Sequence, residues 1–327
     1  MELQAIILAA GKGTRLNPIT NSRSKAMLPV VGKPVIVRIM DSLAANGIID
    51  FVVVVNPEDA EIIDYFRVES NYHRKTQIIF QQESLGMANA LSCAAPLIHG
   101  DFLLSACDNL VSEKHINQLI NTWKQNQRLS AILSCIEFEP ERAGSTSTVK
   151  LDGQQVTRII EKPAHNQVMS NICSLPLYLF SDEVLHHLKN VSISPRGEYE
   201  LQDFIQMIIN LKGRVLAVMA DCRLNLTNPS DLLSINRFYL NQKSSIYSQP
   251  LDSNPKHYQT IPPIYIEGGT IIGNKSVIGP NVYIEPNCII GNYVRLKDTV
   301  VLKGSIIPDQ STIQDQVVCF SKTILQG

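Results

Sequence analysis

The sequence has no surplus of either charge: 29 Lys and Arg stand against 30 Asp and Glu in 327 residues, a net charge of −1 at neutral pH. Broad nucleic-acid binding needs an excess of cations to displace phosphate counterions, so that class is excluded; a local cationic site facing phosphates is not. No apolar run approaches the ~20 residues of a membrane-spanning helix, and the longest, such as residues 48–55, are strand-sized. No basic stretch followed by an apolar one opens the chain, so neither a secretory signal nor a membrane partner is expected. The seven cysteines, an odd number, include no Cys-x-x-Cys pair, which argues against a disulfide framework and against a zinc ribbon. A cytoplasmic protein fits these absences, and the sequons at Asn190 and Asn225 are then coincidental. Apolar residues make up 44% of the chain, ample for a packed core, and the length allows about two domains.

Residues 1–240 alternate short apolar runs with amphipathic stretches. Strands are expected at residues 5–10, 51–55, 76–81, 102–105, 130–135, 149–151, 156–160 and 175–180. Between the first two, Ile36, Ile39, Met40 and Leu43 recur at helical spacing ahead of Gly47. Further helices are expected at residues 181–189, 200–211 and 229–241. Such alternation predicts an α/β fold, a doubly wound and largely parallel sheet covered on both faces. Residues 241–263 turn polar, with Ser, Gln, Asn and Pro, and read as a linker. In residues 264–327 a six-residue period takes over. Ile272, Ile278, Ile284, Ile290, Leu296 and Leu302 form one series, with Ser276, Val282, Cys288, Val294, Val300 and Ile306 four places after each. Gly273, Gly279 and Gly291 follow three of the first series. This hexapeptide pattern predicts a short parallel β-helix with both series inside and Gly or Asn at the corners.

The first strand runs into Gly11-Lys12-Gly13-Thr14-Arg15-Leu16. A glycine-rich turn after a strand lets backbone N–H groups approach a phosphate without an intervening Cβ. It lacks the Gly-Lys-Ser/Thr of a Walker A loop, and Leu16 occupies the place of the third glycine of a dinucleotide fingerprint. Arg15 and Lys25, a planar fork and a point charge, suit a triphosphate. Alone, the turn is equally compatible with a structural role, Lys25 with a solvated loop, Asp108 with a helix cap and Glu161-Lys162-Pro163 with an exposed turn. His186 and His187 read as helix-rim residues rather than ligands.

The stretch from Leu8 through Ala9-Ala10-Gly11-Lys12-Gly13-Thr14-Arg15 to Pro18, then Ser24-Lys25-Ala26-Met27-Leu28-Pro29 and Gly32-Lys33-Pro34, resembles the signature of the sugar-1-phosphate nucleotidylyltransferase family. The resemblance extends to Gln82 with Leu85-Gly86-Met87, Asp108-Asn109-Leu110, Glu161-Lys162-Pro163 with Ser170-Asn171, Pro195-Arg196-Gly197-Glu198-Tyr199-Glu200, and Leu224-Asn225 with Pro229-Ser230-Asp231. It covers nearly the whole chain and is similar to long-form glucose-1-phosphate thymidylyltransferases, which carry a C-terminal left-handed β-helix. It implies an enzyme that transfers a nucleoside monophosphate from a nucleoside triphosphate, dTTP or UTP, to a sugar-1-phosphate such as glucose-1-phosphate, releasing pyrophosphate.

No protein nucleophile is required for in-line attack at the α-phosphorus, so catalysis is positioning plus charge neutralisation. The resemblance assigns Arg15 to the β- and γ-phosphates, Lys25 to the α-phosphate and Lys162 to the sugar phosphate. Asp108 and Asn225 would hold Mg2+, a hard cation that prefers oxygen ligands. Leu8, Ala10, Gly11, Gly13, Thr14, Gln82 and Gly86 would contact the nucleotide, with the Gln82 amide reading the base edge. Glu161, Ser147 and Asn171 would contact the sugar.

The sequence departs from the pattern at Ser24, in place of a proline, which is expected to loosen the loop. Cys107, Ser147 and Pro176 stand in place of glycines, and Thr227-Asn228 in place of Gly-Thr. These changes leave the charged groups intact and affect sugar choice most, but they also admit a non-catalytic, nucleotide-sugar-binding regulatory relative. Acyl transfer on the β-helix is disfavoured, because no histidine lies in residues 258–327. The exposed apolar end of so short a helix predicts a homo-oligomer.

Overall fold

The apolar runs of the first 220 residues pair into one nine-stranded mixed sheet. The computed structural model describes residues 3–69, 71, 72, 75–139, 144–242, 257–320 and 322–324; most of the expected linker, residues 243–256, lies outside them. In spatial order the strands are Thr76–Phe80, Asp50–Val55, Gln4–Leu8, Phe102–Ala106, Ile172–Phe180, Ala131–Glu137, Val215–Met219, Gln155–Ile160 and Thr148–Asp152. The first four are mutually parallel, and Ile172–Phe180 runs antiparallel to both its neighbours. The inner parallel strands are buried along their length, as in Gln4–Leu8 and Phe51 to Val55, because helices cover both faces, whereas the edge strand Thr76–Phe80 is only half-buried. Ile36, Ile39, Met40 and Leu43 are buried on the helix Val35–Ala45.

The interruption that matters for the site lies in Ile172–Phe180. Its register against Ala131–Glu137 slips between Leu175 and Tyr178. A proline cannot donate to a ladder and is tolerated where pairing lapses, so Pro176 falls in this bulge. Residues 181–189, expected as a helix, form instead a 3-10 segment, Asp182–Asn190, capped by the Ser181 hydroxyl.

The chain forms two compact units. One comprises Met1–Lys12, Ser24–Ala26 and Ile39–Arg223; the other comprises Gly13–Arg23, Met27–Arg38 and Leu224–Gly327. The second unit therefore contains the β-helix together with two segments of the N-terminal signature, a partition that order along the chain does not reveal.

The β-helix has three sheets, one per face of each coil, parallel except for the last strand, Lys322–Ile324, which runs antiparallel to Val317–Cys319. Its first coil is 18 residues long, Ile264 lying over Val282 and Ile271 over Ile289. The next has 17, since Val282 lies over Thr299 and Ile290 over Ile307. Left-handed corner residues show where the residue is missing: Lys275, Asn281, Asn287 and Tyr293 recur at intervals of six, but Asp298 follows after five. The expected six-residue phase therefore fails after Leu296. Val301 and Ile307 join the inner stack, while Ile306, expected inside, is 49% exposed. At the inner position Ser276, the hydroxyl donates to Gly291 O (2.9 Å) and accepts from Val294 N–H (3.0 Å), which satisfies it inside the stack.

Candidate active site

In the first unit, the C-terminal ends of the parallel strands carry the groups of interest, the edge where open α/β sheets place ligands. Leu8 is paired with Ala106, and the Cys107 N–H continues the ladder to Leu8 O (3.1 Å). Asp108 is thereby held at the strand end. The Lys25 ammonium donates to its Oδ2, with side-chain exposures of 13% and 18%. The Ser24 N–H donates to Glu61 Oε2 at 3.0 Å. A proline has no such donor, so Ser24 anchors the loop before Lys25 instead of loosening it. Leu8 and Ala10 are buried, whereas Gly11 is exposed and a Cβ built on it meets nothing within 4 Å. Burial, reinforced by the Asp108 charge, pushes the Cys107 thiol up to about 12, so it is a neutral, unreactive side chain near neutral pH.

Gly86 has φ +99°, and a Cβ there would lie 2.6 Å from Tyr199 O. Glycine is required on both counts. The close approach is fixed by Tyr199 N–H to Leu85 O (2.8 Å) and Ala88 N–H to Tyr199 O (3.0 Å). Of two adjacent glutamines, Gln81 is buried and holds Gly86 O (3.1 Å) and Asn89 Oδ1 (2.8 Å) with its amide. Gln82 is exposed, so the structure distinguishes a structural glutamine from one available to a ligand.

A second cluster follows the strand Gln155–Ile160. Lys162 is exposed and has φ +41°, an uncommon conformation for a residue with a side chain. The Glu161 carboxyl is raised above its ordinary value, chiefly by burial, with Lys162 opposing. Sequence reasoning quoted Arg196 without giving it a role; its guanidinium donates to Glu161 O (3.3 Å) and pairs with the buried Glu200 (2.8 Å). The signal was available in a cation placed among the acids of 198–203. Asn171 is exposed, and its carbonyl accepts from Phe138 N–H (2.8 Å). Ser147 is only 3% exposed, and its hydroxyl is engaged by the Ser174 hydroxyl and N–H, each at 2.9 Å. Tyr178 also donates to Ser174 (2.9 Å). The Ser147 hydroxyl thus belongs to an interior network.

In the second unit, Gly13 (φ 61°, ψ 31°) starts the 3-10 turn Thr14–Leu16, whose Leu16 is buried while Thr14 and Arg15 are exposed. The Thr20 hydroxyl binds Gly13 O at 2.9 Å. Asn225 is half-buried, and its amide nitrogen donates to Thr227 Oγ1 at 2.6 Å. The turn after it is a reciprocal helix cap. Asn228 Oδ1 accepts from Asp231 N–H, and Asp231 Oδ2 accepts from Asn228 N–H, both at 3.0 Å, with Pro229 opening the helix Pro229–Gln242. Thr227-Asn228 therefore has a local structural reason.

Among the described residues no group of three or more His, Cys, Asp and Glu could cage a metal. Mg2+ needs none, since it keeps several waters and is commonly held by one or two carboxylates plus substrate phosphates. A hard carboxylate at a strand end, already drawing a cation in Lys25, fits such an ion. The first unit thus combines a backbone open to a ligand at Gly11, a cation–carboxylate pair, and a separate cation–acid cluster at Glu161 and Lys162. Each of the two clusters carries a cation able to face an anionic group.

Comparison with known proteins identifies the family and the fold. Residues 4–242 match the nucleotidyl transferase family model, and residues 260–326 match the GMPPB C-terminal domain. The chain is 32% identical over 325 residues to the bifunctional protein GlmU of Methanococcus maripaludis, covering 97% of this chain and 73% of that one. It is 32% identical over 232 residues to the UTP–glucose-1-phosphate uridylyltransferase AglF of Haloferax volcanii, covering 70% of this chain and 93% of the relative. A solved structure of UDP-glucose pyrophosphorylase complexed with UDP-glucose superposes with a TM-score of 0.68 at 20% identity, over 74% of this chain and all of that one; this likeness speaks to the fold.

Proposed function

The chain belongs to the nucleotidyl transferase family, and we propose that it transfers a nucleoside monophosphate from UTP or dTTP to glucose-1-phosphate or a close analogue, with Mg2+. A sugar-phosphate oxygen attacks the α-phosphorus. The new P–O bond forms as the bond from the α-phosphorus to the oxygen bridging it to the β-phosphorus breaks, and pyrophosphate leaves carrying that oxygen. No proton transfer from the protein is needed, because nucleophile and leaving group are both phosphate oxygens.

The observation that carries this reading is the Lys25–Asp108 pair at the end of the parallel strands, beside the chain turn that leads from Leu8 to Gly11. Lys25 neutralises the α-phosphate where negative charge grows in the transition state. Asp108 orients the metal, whose chemistry is to screen the phosphate charges. Lys162 holds the attacking phosphate, Glu161 accepts from sugar hydroxyls, Asn171 contacts the sugar as the sequence resemblance implies, and the Gln82 amide reads the base edge. Arg15 on the β- and γ-phosphates and Asn225 as a metal ligand rest on the sequence resemblance. Arg196, bound to Glu161 O, extends the sugar-phosphate cluster. Ser147 supports the sugar pocket through Ser174 rather than by its own hydroxyl.

We further propose a homo-oligomer assembled through the β-helix. Ile271, Ile289 and Ile306 stack in register on one sheet and are 55%, 45% and 49% exposed, an apolar ladder that a second copy would cover.

The test is pyrophosphate release across four nucleoside triphosphates and several sugar-1-phosphates, with and without Mg2+. Turnover with UTP or dTTP and glucose-1-phosphate is expected. A protein that binds a nucleotide sugar yet releases pyrophosphate with no pair is a regulatory relative, and the transferase reading is then wrong.

A further inference from the structure

Within the second unit, the loop Gly13–Arg23 is tied to the β-helix by a two-pronged ion pair. Arg23 Nη1 donates to Glu285 Oε2 at 2.7 Å and Nη2 to Oε1 at 3.0 Å, a fork-to-fork pair with side-chain exposures of only 19% and 6%. Glu285 is itself immobilised. Its Oε2 also accepts from Lys303 N–H (2.9 Å), its N–H donates to Val301 O (2.9 Å) and its carbonyl accepts from Thr270 Oγ1 (3.2 Å). Backbone and side chain of Glu285 are thus both held within the β-helix, while its carboxylate takes a charged partner from outside it.

A second attachment lies close by in sequence. The hairpin of Pro29–Val30 and Lys33–Pro34 turns through Val31 and Gly32, both left-handed, and a Cβ on Gly32 would lie 2.8 Å from Tyr265 Cε1. On the hairpin's other side the buried Asn236 amide accepts from Val31 N–H (2.8 Å) and donates to Pro29 O (3.1 Å). These are backbone-to-ring and backbone-to-amide contacts, which a structural hairpin needs for packing. The Arg23–Glu285 pair is different in kind. It places an ion pair, costly to desolvate, at the end of a loop that buries only Leu16 and Ile19 and is otherwise held by short-range bonds of its own, such as the Thr20 hydroxyl to Gly13 O (2.9 Å). With so little apolar anchorage, that pair is what fastens the loop's end to the β-helix.

We propose that Glu285, acting through Arg23, is a positioning residue for the loop that carries Arg15, so that the β-helix sets the conformation in which that loop presents Arg15. This rests on the reading of the loop as a triphosphate site. Arg23 ends the loop two residues before Lys25 in the chain, so an unpinned Arg23 releases the loop from that end.

The test pairs a readout of loop order with one of nucleotide binding. Glu285→Gln keeps shape and removes the charge; Arg23→Gln removes the other half; Arg237→Gln, which breaks a different ion pair of the same unit with Asp298 and Asp315, is the control. Amide hydrogen exchange in residues 14–21 is expected to quicken at least tenfold in the first two variants and not in the control. UTP or dTTP affinity is expected to weaken at least fivefold, with thermal unfolding still cooperative. The double variant Arg23→Gln with Glu285→Gln should do no more than the worse single one, since both remove one interaction. Exchange within twofold of wild type in both single variants overturns the proposal. If one variant fails to fold, the other decides. Faster exchange in the variants of a protein whose wild type shows no turnover leaves positioning standing and instead defeats the transferase reading.

Discussion

Lys25 and Asp108, 83 residues apart in the chain, meet as ammonium on carboxylate at the end of two parallel strands. Each is largely covered, so each relies on the other for compensation in a medium where an isolated charge is costly. The proposed reaction asks Lys25 to face a phosphate and Asp108 to face a metal. Substrate and metal together would therefore supply replacement partners to both groups at once.

Removing either group should leave folding intact and slow turnover by roughly a hundredfold or more, the usual cost of one electrostatic stabiliser in a phosphoryl-transfer site. Lys25→Ala, Lys162→Ala and Asp108→Asn are the variants, with pyrophosphate release as the measurement. A variant within a few-fold of wild type would strike that residue from the mechanism.

Gly11 and Gly86 should separate binding from stability. An alanine at Gly86 must hold φ near +99° and sit 2.6 Å from Tyr199 O, so Gly86→Ala is expected to lower the unfolding midpoint by several degrees, the effect of about 2 kcal/mol or more. Gly11→Ala meets no protein atom and should melt like wild type while raising the nucleotide KM severalfold, because its methyl would occupy ligand space. Equal melting of both variants would contradict this account of the turn.

Glu161 supplies a pH test. Its carboxyl titrates above the ordinary 4.5, chiefly through burial, so the folded state favours the protonated form. Its contribution to stability is therefore full below 4.5 and is lost as pH rises through the folded value. Its proposed work runs the other way, since accepting from sugar hydroxyls is best done by the carboxylate. The KM for the sugar phosphate should climb as pH falls into the raised range, and Glu161→Gln should flatten that limb. An unchanged acid limb in Glu161→Gln would assign it to another group.

Cys107, raised from 9.0 to about 12 by burial and Asp108, should be alkylated in the native protein only after the half-buried Cys93 and Cys222. Its linkage has the same sign as that of Glu161: the stability it contributes is present below 9.0 and declines as pH rises toward about 12. Cys107→Gly removes one small neutral group, so turnover should change by less than roughly tenfold, the equivalent of ~1.4 kcal/mol. Peptide mapping after timed alkylation checks the first point and steady-state rates the second.

The isoleucine ladder tests assembly. Ile289 is the middle rung, paired with Ile271 and Ile306, so Ile289→Asp should reduce the sedimenting mass while sparing turnover. Wild type sedimenting as a monomer at micromolar concentration would refute the oligomer.

Local rules determined much of this protein from its sequence. Buried strands, the helix over residues 35–45, the glycine-rich turn and a β-helix were all legible because apolar period and glycine placement act over a few residues. The sequence also specified which charged types the site uses. What it could not decide needed contacts between distant residues. The six-residue period could not foresee a 17-residue coil, because which aliphatic faces inward after Leu296 depends on stacking against the coil below. Ser24 read as a weakened turn until Glu61, 37 residues away, accepted its N–H. Gln81 and Gln82 are the same residue type side by side, and only burial makes one structural and leaves the other exposed. Ser147 looked like a pocket residue until Ser174 and Tyr178 closed around its hydroxyl. The pinning of Arg23 by Glu285, 262 residues away, was invisible for the same reason: charge and type are written in the chain, but which charges meet in a low-dielectric interior is settled only when the fold brings them together.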